Sequence, residues 1–321
     1  MKVPPRLFRG VRRVMDRVPT PARQAITREA WMAYRRGHEL THRLDYLFWE
    51  TTRRCNLQCV HCGSTCTTEP LPDELTTAEI DDTLAAVARA YDPAGVMLVV
   101  TGGEPLVRVD LLEVMERAAR RGSPWGMVTN GLLVDDAMIE PLERAGLRTV
   151  TVSLDGTEAH HDEIRQRPGS WRAALAALER LNASPYLSIV EAITTVNSIN
   201  AADLEELLEL LLDRGIRYWR IGTVAPIGRA KERPDLLADG EQLAAALELV
   251  ARVRRDRPRV RGGGRMDLSF ACENYVGERF EPRVRKHRFA CWAGIRTAGI
   301  LADGAIGACP DIDRHFVQGN I

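Results

Sequence analysis

From Asp45 onward the hydrophobic pattern switches repeatedly between two periods. Short apolar runs, mostly β-branched or aromatic, predict strands at Tyr46 to Thr52, Val96 to Val100, Trp125 to Thr129, Thr149 to Ser153, Leu187 to Val196 and Arg217 to Gly222. Between them apolar residues recur at helical spacing. Ile80, Leu84 and Val87 follow a Thr76/Glu79 capping box, and Leu111, Met115 and Ala118 follow Asp110. Trp171 to Leu181 follow Ser170, and Leu204, Leu207, Leu208 and Leu211 line one helix face. This alternation predicts an α/β fold with one parallel sheet wrapped by helices.

The two ends of the chain depart from the alternation. In residues 1–44, Leu7, Val11, Val14 or Met15, and Val18 recur at helical spacing while Arg6, Arg9, Arg12, Arg13 and Arg17 crowd the other faces. Thr20-Pro21 then starts a second helix, running to about Arg36 and closed by Gly37. This basic extension reads either as a surface for a membrane, partner or peptide, or as two helices packed on the main domain with a solvated face. Residues 45–255 form the alternating domain, ending in a packing helix at Gly240 to Val253. The basic, Gly-rich stretch Arg254 to Arg265 reads as a linker or exposed loop. It separates off residues 266–321, where Ala302-Asp303-Gly304 turns a hairpin between Ile300 and Ile306.

Composition narrows the class. The 321 residues carry 44 basic and 44 acidic side chains, so the zero formal charge gives no electrostatic case for nucleic acid. No run is apolar enough to span a membrane, and arginines stand where a signal peptide needs its apolar segment. A soluble, cytoplasmic protein without membrane contact is expected. Its seven cysteines, Cys55, Cys59, Cys62, Cys66, Cys272, Cys291 and Cys309, are odd in number and clustered. They read as ligands in a reducing compartment rather than as a disulfide framework.

The chemistry concentrates after the first strand. Cys55-Asn56-Leu57-Gln58-Cys59-Val60-His61-Cys62 puts three thiols on one short loop. Soft thiolates select zinc, copper(I) or iron–sulfur clusters. Structural zinc takes four protein ligands, whereas three ligands on a four-iron cubane leave one iron free for other chemistry. The second strand ends in Thr101-Gly102-Gly103-Glu104-Pro105, where two glycines permit close backbone approach and a carboxylate can take an ammonium group.

The CxxxCxxC triad with Asn56 and His61 resembles the cluster loop of the radical S-adenosylmethionine (SAM) superfamily, and the Gly102-Gly103-Glu104-Pro105 segment resembles that family's GGEP motif. The resemblance implies a partial, TIM-like (β/α)6 barrel, with its site at the C-terminal strand ends. It also implies that Cys55, Cys59 and Cys62 ligate a [4Fe-4S] cluster whose fourth iron chelates SAM, and that Gly102, Gly103 and Glu104 hold the SAM amino group. Thr129-Asn130-Gly131 and Ser153-Leu154-Asp155-Gly156 resemble the family's next strand ends, making Asn130 and Ser153 contacts to ribose or carboxylate. Arg165 either reaches the SAM carboxylate, as its resemblance to peptide-modifying branches implies, or is a surface helix arginine. His61 either stacks beside adenine or is a solvated loop histidine. The Cys291-x12-Gly304-x4-Cys309 spacing resembles the opening of a SPASM or twitch module, with Cys291, Cys309 and Cys272 on an auxiliary iron–sulfur cluster. A full SPASM domain continues with more cysteines. The chain is therefore expected to be truncated within that domain, or to hold its auxiliary cluster with three cysteines.

These resemblances imply reductive cleavage of SAM to a 5'-deoxyadenosyl radical that abstracts hydrogen from a substrate. A peptide or protein side chain leads, undergoing oxidation, cross-linking or epimerisation. A small-molecule dehydrogenase is the alternative, and a non-enzymatic electron-transfer protein a third. Flavodoxin or ferredoxin would supply electrons.

Overall fold

The computed structural model describes residues 20–64, 66–271, 275–286, 289–310, 312 and 314–321. It divides into two compact units, with the boundary after Arg43. The first contains α1 (Thr20–Thr41); the amphipathic stretch Leu7 to Val18 lies outside the described residues. Helix α1 runs through Gly37, where the sequence pattern placed its end. A glycine inside a helix costs only about 1 kcal/mol, and Thr41 Oγ1 donates back to the Gly37 and His38 carbonyls. The chain leaves the helix at His42, which takes the left-handed conformation (φ 43°).

The second unit is built on one sheet. In chain order its elements are β1 (Tyr46–Glu50), α2 (Thr77–Ala90), β2 (Met97–Thr101), α3 (Leu111–Arg120), β3 (Trp125–Thr129), α4 (Asp136–Arg144) and β4 (Leu147–Ser153). Then come α5 (Glu158–Arg165), α6 (Ser170–Ala183), β5 (Ile189–Val196), α7 (Leu204–Asp213), β6 (Tyr218–Thr223), α8 (Gly240–Asp256) and β7 (Asp267–Phe270). Strands β8 (Thr297–Ile300), β9 (Ala305–Gly307) and β10 (Gly319–Asn320) complete it. Strands β1 to β7 lie side by side in sequence order, all parallel, as the six expected strand–helix units require. The fold is a partial barrel of the expected α/β kind.

Residues 266–321 join the same sheet at both edges. Strand β7 extends it beyond β6, and β8 lies parallel to β1 at the opposite edge. The expected hairpin is present: β8 and β9 pair antiparallel with Ile300 opposite Ile306, and Gly304 supplies the turn's positive φ of 81°.

Alternation along the strands sorts core from cavity. On β4, β5 and β6, Val150, Val152, Val190, Ala192, Trp219 and Ile221 are fully buried in the core. The residues between them face the other way. There Thr151 Oγ1 donates to Glu191 (3.0 Å), which also pairs with Arg220. An ion pair on this inner face gives the barrel interior a polar wall.

Candidate active site

After β1 the chain continues along the end of β2, where Thr51 N–H donates to Thr101 O (2.9 Å), Gly103 N–H to Thr52 O (2.8 Å) and Glu104 N–H to Arg54 O (2.9 Å). This crossing explains the double glycine. A Cβ on Gly102, whose φ is 137°, would lie 2.5 Å from Thr52 O, and one on Gly103 would lie 1.9 Å from Arg54 O. The atoms crowding these positions are those of the chain's own cysteine loop. Cys55 N–H to Thr67 O (2.8 Å) and Thr67 N–H to Arg53 O (2.9 Å) then close that loop at its base. Cys59 is buried within it, while Cys55 and Cys62 are half-buried.

Glu104 is buried (1% exposed), and its carboxylate accepts from Thr129 Oγ1 (2.8 Å), Asn130 N–H (2.8 Å) and Leu106 N–H (3.2 Å). Burial pushes its pKa up while these donors pull it down. The carboxylate therefore fastens the end of β3 to the end of β2, with one lone pair left for a further donor. Asn130 in turn donates to Asn56 Oδ1 (2.7 Å) and points Nδ2 at Cys55 Sγ (4.0 Å). Two strand ends and the cysteine loop thus meet at one place.

A second node forms beneath Cys59. Asp155, fully buried, pairs with Arg165 Nη2 (2.6 Å) and lies 3.3 Å from His61 Nε2. Arg165 Nη1 reaches Cys59 Sγ (3.6 Å). Burial alone would raise the Asp155 pKa, but the Arg165 guanidinium and His61 outweigh it and hold it below the usual carboxylate range. His161 accepts the Asp155 N–H on Nδ1 (2.9 Å), and burial together with Arg165 pushes its pKa down to about 4. Arg165 is thus buried on the last turn of α5 rather than on the surface, and His61 lies against Asp155 rather than in solvent. Ser153 ends β4 half-buried, opposite Ile193 of β5.

Burial raises the Cys55 pKa to about 11 and also raises that of Cys59, which Arg165 opposes. Cys62 and Cys66 share a sulfur contact of 3.9 Å. That contact and the Arg229 charge favour the Cys62 thiolate and leave Cys66 as the thiol.

The C-terminal cysteines are placed separately. Cys272 lies outside the described residues. Cys291 is exposed and Cys309 half-buried. Their segments approach each other at one point, where a Cβ on Gly294 would sit 3.7 Å from the Ala308 Cβ.

Asp155, Asn56 and Arg229 were not marked as site residues from the sequence. Asp155 lies inside the Ser153-Leu154-Asp155-Gly156 segment that drew attention to Ser153, so its signal was present. Arg229 lies far from the loop in sequence and carries no local signal.

The donor set fits an iron–sulfur cluster. Three thiols come from one loop, N–H groups of Arg165 and Asn130 are aimed at two of the sulfurs, and buried Arg165 Nε and His61 Nδ1 have no partner among the described residues. Together with the partial barrel, this makes the cysteine loop a candidate cluster site at the C-terminal mouth of a parallel sheet. Residues 49–211, half of the chain, match the Radical SAM superfamily, and the chain belongs to that superfamily. Its members use a [4Fe-4S] cluster and SAM.

Among relatives, the AdoMet-dependent heme synthase of Methanosarcina barkeri is 32% identical over 206 residues, 64% of this chain and 58% of that protein. The PqqA peptide cyclase of Gluconobacter oxydans is 30% identical over 282 residues, 85% of this chain and 73% of that protein. The chain spans about half the length of the heme synthase relatives it matches. Among solved structures, Streptococcus suis SuiB bound to the precursor peptide SuiA shares the fold with a TM-score of 0.67 at 13% identity, over 95% of this chain and 68% of that one. No helix among the described residues is long and apolar enough to cross a membrane.

Proposed function

We propose that this radical SAM enzyme abstracts hydrogen from a peptide or protein side chain, leading to oxidation, cross-linking or epimerisation. The observation that carries this reading is the reach of the PqqA peptide cyclase match. At 85% of the chain it extends well beyond residues 49–211, which the superfamily match covers. The polar inner wall of Thr151, Glu191 and Arg220 supports it, because side chains and backbone of a peptide need hydrogen-bonding partners inside the barrel.

Cys55, Cys59 and Cys62 would hold the [4Fe-4S] cluster, which when bound supplies the electron that cleaves SAM to methionine and a 5'-deoxyadenosyl radical. Around it, the Gly102, Gly103 and Glu104 segment would receive the SAM amino group. Arg165 would offer its unpartnered Nε toward the SAM carboxylate, with Asp155 fixing the guanidinium's orientation. Asn130 and Ser153 would line the ribose side and His61 the adenine side. Cys291 and Cys309, with Cys272, would hold an auxiliary iron–sulfur cluster, and a flavodoxin or ferredoxin would deliver electrons.

The test is anaerobic incubation of the reconstituted protein with SAM, dithionite and candidate precursor peptides. The reading expects 5'-deoxyadenosine together with a mass change in the peptide, or deuterium uptake from labelled water. An unmodified peptide under conditions that yield 5'-deoxyadenosine would overturn the substrate class. The heme synthase relatives favour a second reading, in which the substrate is a tetrapyrrole. Absorbance changes of an added iron porphyrin, with the peptide untouched, would select it.

A further inference from the structure

After β6 the chain turns back over the cysteine loop. Val224 N–H still pairs with Val196 O (3.2 Å) across the strand ends, and by Arg229 the chain meets the loop. The approach is close. A Cβ on Gly228, whose φ is 56°, would lie 2.4 Å from the carbonyl oxygens of both Cys62 and Gly63. The Ile227 side chain lies 3.2 Å from where a Gly63 Cβ would stand.

At the centre of this contact is Arg229. Its backbone N–H donates to Cys62 O (2.9 Å), Nε to Cys59 O (2.8 Å) and Nη1 to Cys66 O (3.0 Å). One residue therefore ties down three carbonyls, each belonging to a cysteine of the loop. Apart from turns at Val60–His61 and Gly63–Ser64, the described residues from Cys55 to Cys66 lack regular secondary structure, and of the three carbonyls Cys59 O also accepts the Cys62 N–H (3.3 Å). Arginine is suited to this because its planar fork presents several donors in fixed directions, whereas lysine offers a point charge on a flexible stem.

We infer that Arg229 is a positioning residue of the cluster loop, holding Cys59, Cys62 and Cys66 in register through their carbonyls and placing a fixed positive charge beside the cluster. The inference rests on the assignment of Cys55, Cys59 and Cys62 as cluster ligands. Two consequences can be separated. The fork controls how firmly the loop keeps its iron. The charge favours the more negative, reduced state of the cluster and so raises its potential.

The experiment uses the full chain, reconstituted anaerobically with iron and sulfide, and compares wild type with Arg229→Gln, Arg229→Lys and Gly228→Ala. Iron release to the ferrous chelator bathophenanthroline is timed. The cluster's midpoint potential is read from the EPR signal that changes when SAM is added, which isolates this loop's cluster from any other. Arg229→Gln should release iron about tenfold faster, the lower end of what loss of a ligand-supporting group does, and shift the potential negative. Arg229→Lys should restore the potential but not the retention. Gly228→Ala should release iron faster at unchanged potential, because its Cβ displaces the backbone without touching the charge. Wild-type release and potential in Arg229→Gln would overturn the inference. If that variant does not fold, Arg229→Lys decides alone: faster release at wild-type potential supports the clasp, and wild-type release overturns it. Cys59→Ala protein that keeps the SAM-sensitive signal would overturn the cluster assignment and the inference with it.

Discussion

Replacing Asp155 with Asn tests the buried ion pair beneath the cluster loop. Asp155 is completely buried and Arg165 nearly so, and their charged atoms meet at 2.6 Å. Asparagine keeps the shape and retains an oxygen for the Thr195 N–H that Asp155 Oδ1 now accepts at 2.8 Å. It also turns an NH2 group toward Arg165 and leaves the guanidinium without its counter-ion. Breaking one side of a buried pair costs about 3–5 kcal/mol, because the remaining charge stays desolvated. For a chain of this size each kcal/mol moves Tm by about 2 °C, so a drop of roughly 6–10 °C is expected. Thermal unfolding followed by circular dichroism under argon measures it. The double variant Asp155→Asn/Arg165→Gln should recover part of the loss, since no uncompensated charge remains. An Asp155→Asn protein that melts with wild type, or a double variant whose loss equals the sum of the singles, would refute the reasoning.

Further expectations follow from the same geometry. His161 titrates near 4 when folded and near its ordinary 6.5 when unfolded, so the unfolded chain takes up the proton first. Its contribution is full above about pH 6.5 and is lost as the pH falls toward about 4, by roughly 3 kcal/mol for a shift of this size. Denaturant unfolding at several pH values should show that slope, and His161→Gln should flatten it. Gly103→Ala forces a Cβ against Arg54 O and should destabilise by at least roughly 1–3 kcal/mol, with less iron taken up per chain after reconstitution. Cys309→Ala should lower iron content yet preserve uncoupled SAM cleavage; unchanged iron would remove the C-terminal cysteines from cluster binding.

The barrel was legible because its strands are short runs rich in apolar and β-branched residues and several helices carry a start signal. The capping box of Thr76 and Glu79, for example, forms as expected. Boundaries were less legible where a local signal was outweighed: α1 passes through Gly37 because the helix continues to hydrogen-bond on both sides of it. The outer strands were harder. Strand β7 follows a basic, Gly-rich stretch, and β8 is a four-residue strand whose place beside β1 depends on pairing across most of the chain. The site was legible where chemistry is written into adjacent residues, as in the cysteine triad and the glycine pair. Arg229 acts through contacts made far along the chain, its Nε meeting Cys59 O across 170 positions. No local pattern encodes such a pairing.

The central claim is that the Cys55–Cys62 loop holds a cluster that cleaves SAM. The most direct measurement is 5'-deoxyadenosine formed by anaerobically reconstituted protein given dithionite and SAM, beside the Cys59→Ala variant. The account predicts 5'-deoxyadenosine and methionine in equal amounts from wild type, with about four irons per chain assigned to this loop, and neither product from Cys59→Ala. Cleavage that survives in Cys59→Ala would contradict it.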